Sequence, residues 1–193
     1  MRFWSLLIFP LVILGCKEPK QSSDAIAESN FEIQQSYEQR GIEIAMEAQT
    51  ELGQHLMQEL NKGTLHALQY CNENALPLTQ AIAKKNSATV QRVSDKFRNP
   101  NNKANKDEKK LINQYRKDLS WGNDPQPVLF NEGDSIRFYY PLVTNNLCLQ
   151  CHGRIQDTER SVREKILYLY PDDKAMGYAE NEVRGLWKIG FKK

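Results

Sequence analysis

The chain has 193 residues, 40 % hydrophobic and 26 % charged, enough apolar material for a packed core and too much for a disordered chain. Its 26 basic and 24 acidic residues leave a formal charge of +2, which gives no electrostatic footprint for nucleic acid. The length suits one domain behind a leader.

Arg2 supplies a short positive region, and Trp4 to Leu14 is an apolar run interrupted by Ser5, too short to span a bilayer comfortably. It ends in Ile13-Leu14-Gly15-Cys16. A small residue and then Cys directly after an apolar run resembles the lipobox of bacterial lipoproteins. Residues 1–15 therefore read as a signal peptide, and Cys16 as the lipidated first residue of the mature chain. Acyl chains anchor by burying CH₂ groups at roughly 0.8 kcal/mol each. Residues 16–30, polar and carrying Pro19, Ser22 and Ser23, read as a tether between membrane and domain. The domain itself is expected over residues 31–193, outside the cytoplasm.

Residues 31–61 form the first predicted helix. Tyr37, Gly41, Ile44, Ala45, Ala48, Leu52, His55 and Leu56 share one stripe at helical spacing, and Gly63 stops the run. A second helix is predicted from Thr64 to about Lys84, with Leu65, Leu68, Cys71 and Ala75 on its apolar face and Pro77 as a break or kink. Ala88 to Val93 fits a short strand, and Arg98-Asn99-Pro100-Asn101-Asn102 a loop. Lys106 to Leu119 reads as a charged surface helix. Val128-Leu129-Phe130 and Ile136 to Leu142, joined through Asn131-Glu132-Gly133-Asp134, read as a β-hairpin. Ser161 to Tyr168 is expected to be helical, and Gly185 to Phe191 a last strand. Helices first and antiparallel strands later make an α+β pattern.

Directly after the hairpin comes Cys148-Leu149-Gln150-Cys151-His152, the C-x-x-C-H spacing of c-type haem attachment. Two thiols three residues apart can add to the two vinyl groups of one porphyrin, and the adjoining imidazole can ligate the iron. A thioredoxin-like redox pair needs a βαβ setting, and a zinc site needs two further ligands; neither is visible. One covalent haem c is the expected cofactor. From composition alone the second axial ligand is open among Cys71, His55, His66 and the methionines. His66 lies about 140° from Cys71 around the same helix, so the two face apart. His55 lies in the apolar stripe and is the serious rival to Cys71. Arg98 is a candidate partner for a haem propionate, since its planar fork suits carboxylates. Tyr139, Tyr140 and Trp187 read as core aromatics, and Pro171-Asp172-Asp173 as a turn.

Several segments, taken in order, resemble a family of extracytoplasmic c-type haem domains with a PAS-like fold, found alone or in front of sensor kinases. They are Cys71-Asn72-Glu73-Asn74-Ala75, Phe97 to Asn102, Tyr139-Tyr140-Pro141-Leu142, Cys148 to Gly153, Tyr170 to Tyr178, and Arg184-Gly185. Glu180-Asn181-Glu182 departs from the Glu-Gly-Asp expected of the family. The resemblance implies a PAS-like antiparallel sheet with long N-terminal helices packed against it. It also implies His152 and Cys71 as the axial pair. The expected role is redox or gas sensing at a membrane surface, with a small gas ligand or a redox protein as partner. The alternative is a low-potential electron carrier, which the lack of an output domain in this sequence favours. No enzyme is expected, because no distal acid–base pair is apparent.

Overall fold

The computed structural model describes residues 21–193; residues 1–15, expected to be a signal peptide, and Cys16 lie outside the described residues. Helix α1 is Gln21–Leu60. It starts earlier than the residue 31 expected from sequence, because nothing after Pro19 breaks a helix and Ala25, Ala27 and Glu28 favour one. Among the described residues, those from 21 to 34 and those from Gln35 to Lys193 fall into two separate units, and the second holds the sheet and the site.

Helix α2 is Thr64–Lys85 and runs through Pro77. Strand β1 is Thr89–Val93, and a short 3₁₀ turn follows at Pro100–Asn102. Helix α3 is Lys106–Ser120. Its start is a capping box: Asn105 Oδ1 accepts from the amides of Asp107 and Glu108, both at 2.9 Å, while Glu108 Oε2 accepts from the Asn105 amide at 2.8 Å. Strands β2 (Val128–Glu132) and β3 (Ser135–Val143) make the expected hairpin around the two residues Gly133 and Asp134. Gly133 has φ 63°, a conformation the tight turn requires and glycine adopts without strain. Helix α4 (Asn146–His152) carries the C-x-x-C-H motif, α5 is Arg160–Leu169, and β4 is Val183–Lys192. The four strands form one sheet in the order β1-β4-β3-β2, every neighbour antiparallel.

The two faces of the sheet are covered differently, as strand alternation requires. Ile136 and Phe138 of β3 and Trp187, Ile189 and Phe191 of β4 pack with Ile44, Ala45 and Ala48 of α1. These three α1 residues lie in the stripe read from the sequence. Each large side chain here contributes roughly 1.5–3 kcal/mol by leaving water. Gly41 belongs to the same stripe for a steric reason: a Cβ there would collide with the ring of Phe138. On the opposite face Ile112 and Tyr115 of α3 meet Tyr139, Val93 and Leu186. Glu108 is buried among them and is satisfied by Lys188 Nζ at 2.6 Å and the Tyr139 hydroxyl at 3.3 Å. A third cluster sets Leu68 of α2 against Val162 and Ile166 of α5. The α+β architecture, with two long N-terminal helices and an antiparallel sheet, is the one expected.

Candidate haem site

The motif helix α4 is set by its own cap. Asn145 Oδ1 accepts from the Cys148 amide at 3.2 Å, which fixes the first turn. Cys148 and Cys151, one turn apart, share a face of that helix. Both are free thiols, as is Cys71. His152 ends the helix. Its Nδ1 lies 2.7 Å from the Ala175 carbonyl. A carbonyl can only accept, so Nδ1 carries the hydrogen and Nε2 keeps its lone pair for a metal.

The loop holding Ala175 is itself clamped. The amide of Tyr178 donates to the His152 carbonyl at 3.0 Å, and that of Gly177 to the Gly153 carbonyl at 2.9 Å. Arg98 ties the loop to α4. Its Nε donates to Asp173 Oδ1 at 2.9 Å, and its Nη2 to Asp173 Oδ2 at 3.3 Å and to the Cys151 carbonyl at 2.7 Å. Both side chains are nearly buried, 11 % and 3 % exposed, a setting where loss of one partner is costly. Arg98, read from sequence as a propionate partner, thus has a carboxylate already, and Asp173 is more than a turn residue.

Cys71, Cys148, Cys151 and His152 all line one cavity of about 540 Å³, a size suited to a cofactor. Apolar walls come from Leu52, Leu56 and Leu60 of α1 and Leu68 and Ala75 of α2. Arg92, Arg98 and Arg184 line it as well, and so do Tyr170 and Trp187. Arg184 reaches it through a β-bulge. Leu142 pairs with Gly185 and Val143 with Val183, so Arg184 is the extra residue between two rungs. His55 is absent from the cavity wall and stacks on Tyr70 instead, with ring centroids 5.6 Å apart.

Burial governs the electrostatics. It pushes the Cys151 thiol up to about 11 and raises Cys71, with Arg92, Arg98 and Arg184 opposing the rise at Cys71. Burial, then Arg184 and Arg98, hold His152 well below the usual histidine range, so its imidazole is neutral and able to ligate. Burial, with Arg92 and Arg98 nearby, pulls the Arg184 guanidinium down to about 10. Among the described residues two buried donors have no partner, Arg184 Nε and Trp187 Nε1. Each such donor costs roughly 1–3 kcal/mol unless something accepts from it. A thiol pair beside a correctly oriented imidazole, apolar walls and an unpaired guanidinium donor together fit an anionic porphyrin. Among the described residues no cluster of three or more His, Cys, Asp or Glu could hold a bare metal ion.

Sequence reasoning missed Arg92, Arg184, Asp173 and the Ala175 carbonyl as parts of this site. Arg184-Gly185, and Asp173 and Ala175 within Tyr170 to Tyr178, stood among the segments carrying the resemblance with no role in the site attached to them; Arg92 gave no local signal.

A family model described as Tll0287-like matches residues 17–191. Among solved structures, the crystal structure of the cyanobacterial heme-protein Tll0287 is similar to this chain at 23 % identity and a TM-score of 0.50, covering 61 % of this chain and 71 % of that one. That likeness bears on the fold. No curated protein matches the chain in sequence.

Proposed function

Because the chain belongs to the Tll0287-like family, we propose that it is a monohaem c-type protein that senses redox state or a small gas outside the cytoplasm, held to a membrane through a lipid on Cys16. The observation that carries the haem assignment is the imidazole of His152, locked by the Ala175 carbonyl beside two free thiols that open on one cavity. A bound haem supplies one-electron chemistry and an iron able to take a diatomic ligand. The chain's own residues do the rest. Cys148 and Cys151 would hold the porphyrin, His152 would offer Nε2 to its iron, and the leucines of α1 and α2 would wall it in. Cys71 would be a second protein ligand, and its place on the cavity wall supports it over His55. Burial raises the Cys71 thiol, opposed by Arg92, Arg98 and Arg184.

The mature chain, made in a host that matures c-type cytochromes, tests this. We expect a Soret band and one porphyrin mass that survives denaturation. Replacing Cys148 and Cys151 with Ala should abolish the retained mass, and Cys71→Ala should alter the ferric spectrum. A carrier would cycle reversibly without binding CO; a sensor would bind CO once reduced. A wild-type chain with no porphyrin mass overturns the reading.

A further inference from the structure

The cavity wall has an unbalanced charge. Three arginines line it, from three places: Arg92 on β1, Arg98 just after β1, and Arg184 in the bulge of β4. No Asp or Glu lines it. Asp173, set behind the wall, satisfies Arg98 through two hydrogen bonds. Arg92 and Arg184 make no ion pair among the described residues, and Arg184 Nε is buried with no acceptor. The other charged or titratable groups facing this space, Cys71, Cys148, Cys151, His152 and Tyr170, bring no negative charge in their neutral forms. Two half-buried cations without counter-ions are a standing cost, which an incoming anion removes.

On the haem reading above, we infer that Arg92 and Arg184 are the receptor for the two haem propionates, and that Arg98 is a positioning residue that never touches them. The stoichiometry is two free guanidiniums for two carboxylates. The placement also suits the chemistry. Thioethers form at the vinyl edge of a porphyrin and propionates leave from the opposite edge, so the two sets of residues must come from different elements. Here the thiols are on α4 and the free arginines on β1 and β4. Arg92 is further fixed by the Trp187 ring, whose centroid lies 5.8 Å from its guanidinium carbon. Guanidinium forks match carboxylates bidentately, which a lysine cannot reproduce.

Resonance Raman spectra of the holoprotein test this through the propionate bending modes, which respond to hydrogen bonding. Haem content is read first. Wild-type protein without covalent haem removes the parent reading, whereas haem present with silent variants removes only this inference. Arg184→Met and Arg92→Met should each shift the propionate modes while leaving the thioether-bound mass intact. Arg184→Lys, which keeps the charge and is the milder change for folding, should shift them partway. Arg98→Met should leave those modes where they are and instead disturb the iron–histidine environment. Propionate modes identical across wild type, Arg184→Lys and both Arg92 and Arg184 Met variants, or modes that move only in Arg98→Met, would overturn it.

Discussion

Toward its C-terminal end β4 sets Ile189 and Phe191 against Ile44, Ala45 and Ala48 of α1, with Phe138 seated over Gly41. Toward its N-terminal end the same strand, facing later turns of α1 and α2, presents Arg184, Gly185 and Trp187 to a cavity. One end is apolar and closed; the other is charged and open, and it carries the bulge at Arg184. The closed end stabilises the fold without needing a ligand. The open end carries unpaired donors that lower stability until something fills them. Stability and function are thus divided along one strand, and mutations at each end should have different signatures.

The largest effect should come from emptying the closed end. Phe138 of β3 is fully buried beneath α1. Phe138→Ala should cost about 4 kcal/mol, as large-to-small changes in a core do. Denaturant unfolding should show it as a lower midpoint, with the visible spectrum of the remaining folded protein unchanged. A spectrum that changes as much as stability would mean the two ends are not separable.

The next effect belongs to the clamp at the open end. Asp173→Ala leaves the Arg98 guanidinium, 11 % exposed, without its carboxylate, and should cost about 3 kcal/mol. It also removes the acceptor of the Ala175 amide, 3.2 Å away, and so frees the carbonyl that orients His152. Unlike Phe138→Ala, this change should perturb the absorption and EPR spectra along with stability. An unchanged spectrum would separate the clamp from the imidazole.

Gly41→Ala sharpens the comparison from the small side. It adds one methyl at the closed end, where the Phe138 ring leaves no room. Overpacking of this kind costs about 2 kcal/mol. Helix propensity favours Ala over Gly by up to about 1 kcal/mol, so a net loss of stability isolates the steric term. A net gain in the unfolding midpoint would show that the ring moves freely.

Closed-end structure was far more legible in the sequence than open-end structure. The stripe Gly41, Ile44, Ala45 and Ala48 is local periodicity, and the hairpin is announced by Gly133. The thiols and imidazole of α4 lie within five residues, so their spacing alone exposed them. The rest of the site is assembled across distance. Asp173 meets Arg98 from 75 positions away, and Ala175 meets His152 from 23. Arg184 points inward because of a bulge that pairing with β3 creates, and no local pattern encodes it. Cys71 against His55 was undecidable from periodicity, because both sit on apolar helix faces. What separates them is that Cys71 lines the cavity while His55 stacks on Tyr70.

The smallest effect tests the brace behind the open end. Arg116 of α3 reaches Asp95 through Nη1 and Nη2, at 2.6 and 2.9 Å, and its Nε donates to the Val183 carbonyl at 3.2 Å. The brace therefore holds α3 to the start of β4, just before the bulge. Burial pushes the Asp95 carboxyl up, but the Arg116 hydrogen bonds and charge outweigh it, and the carboxyl sits below its ordinary value. A carboxyl depressed in the folded state stabilises the protein above its unfolded pKa, and that contribution disappears as pH falls through the folded value. Both side chains are partly exposed, 31 % for Arg116 and 22 % for Asp95, so the pair is worth only about 1 kcal/mol. Asp95→Asn should lower stability by that amount from about pH 5 to 8, and the gap to wild type should close below about pH 4. A gap that persists in acid would assign the loss to packing around residue 95 and leave the charge pair no part in holding the bulge.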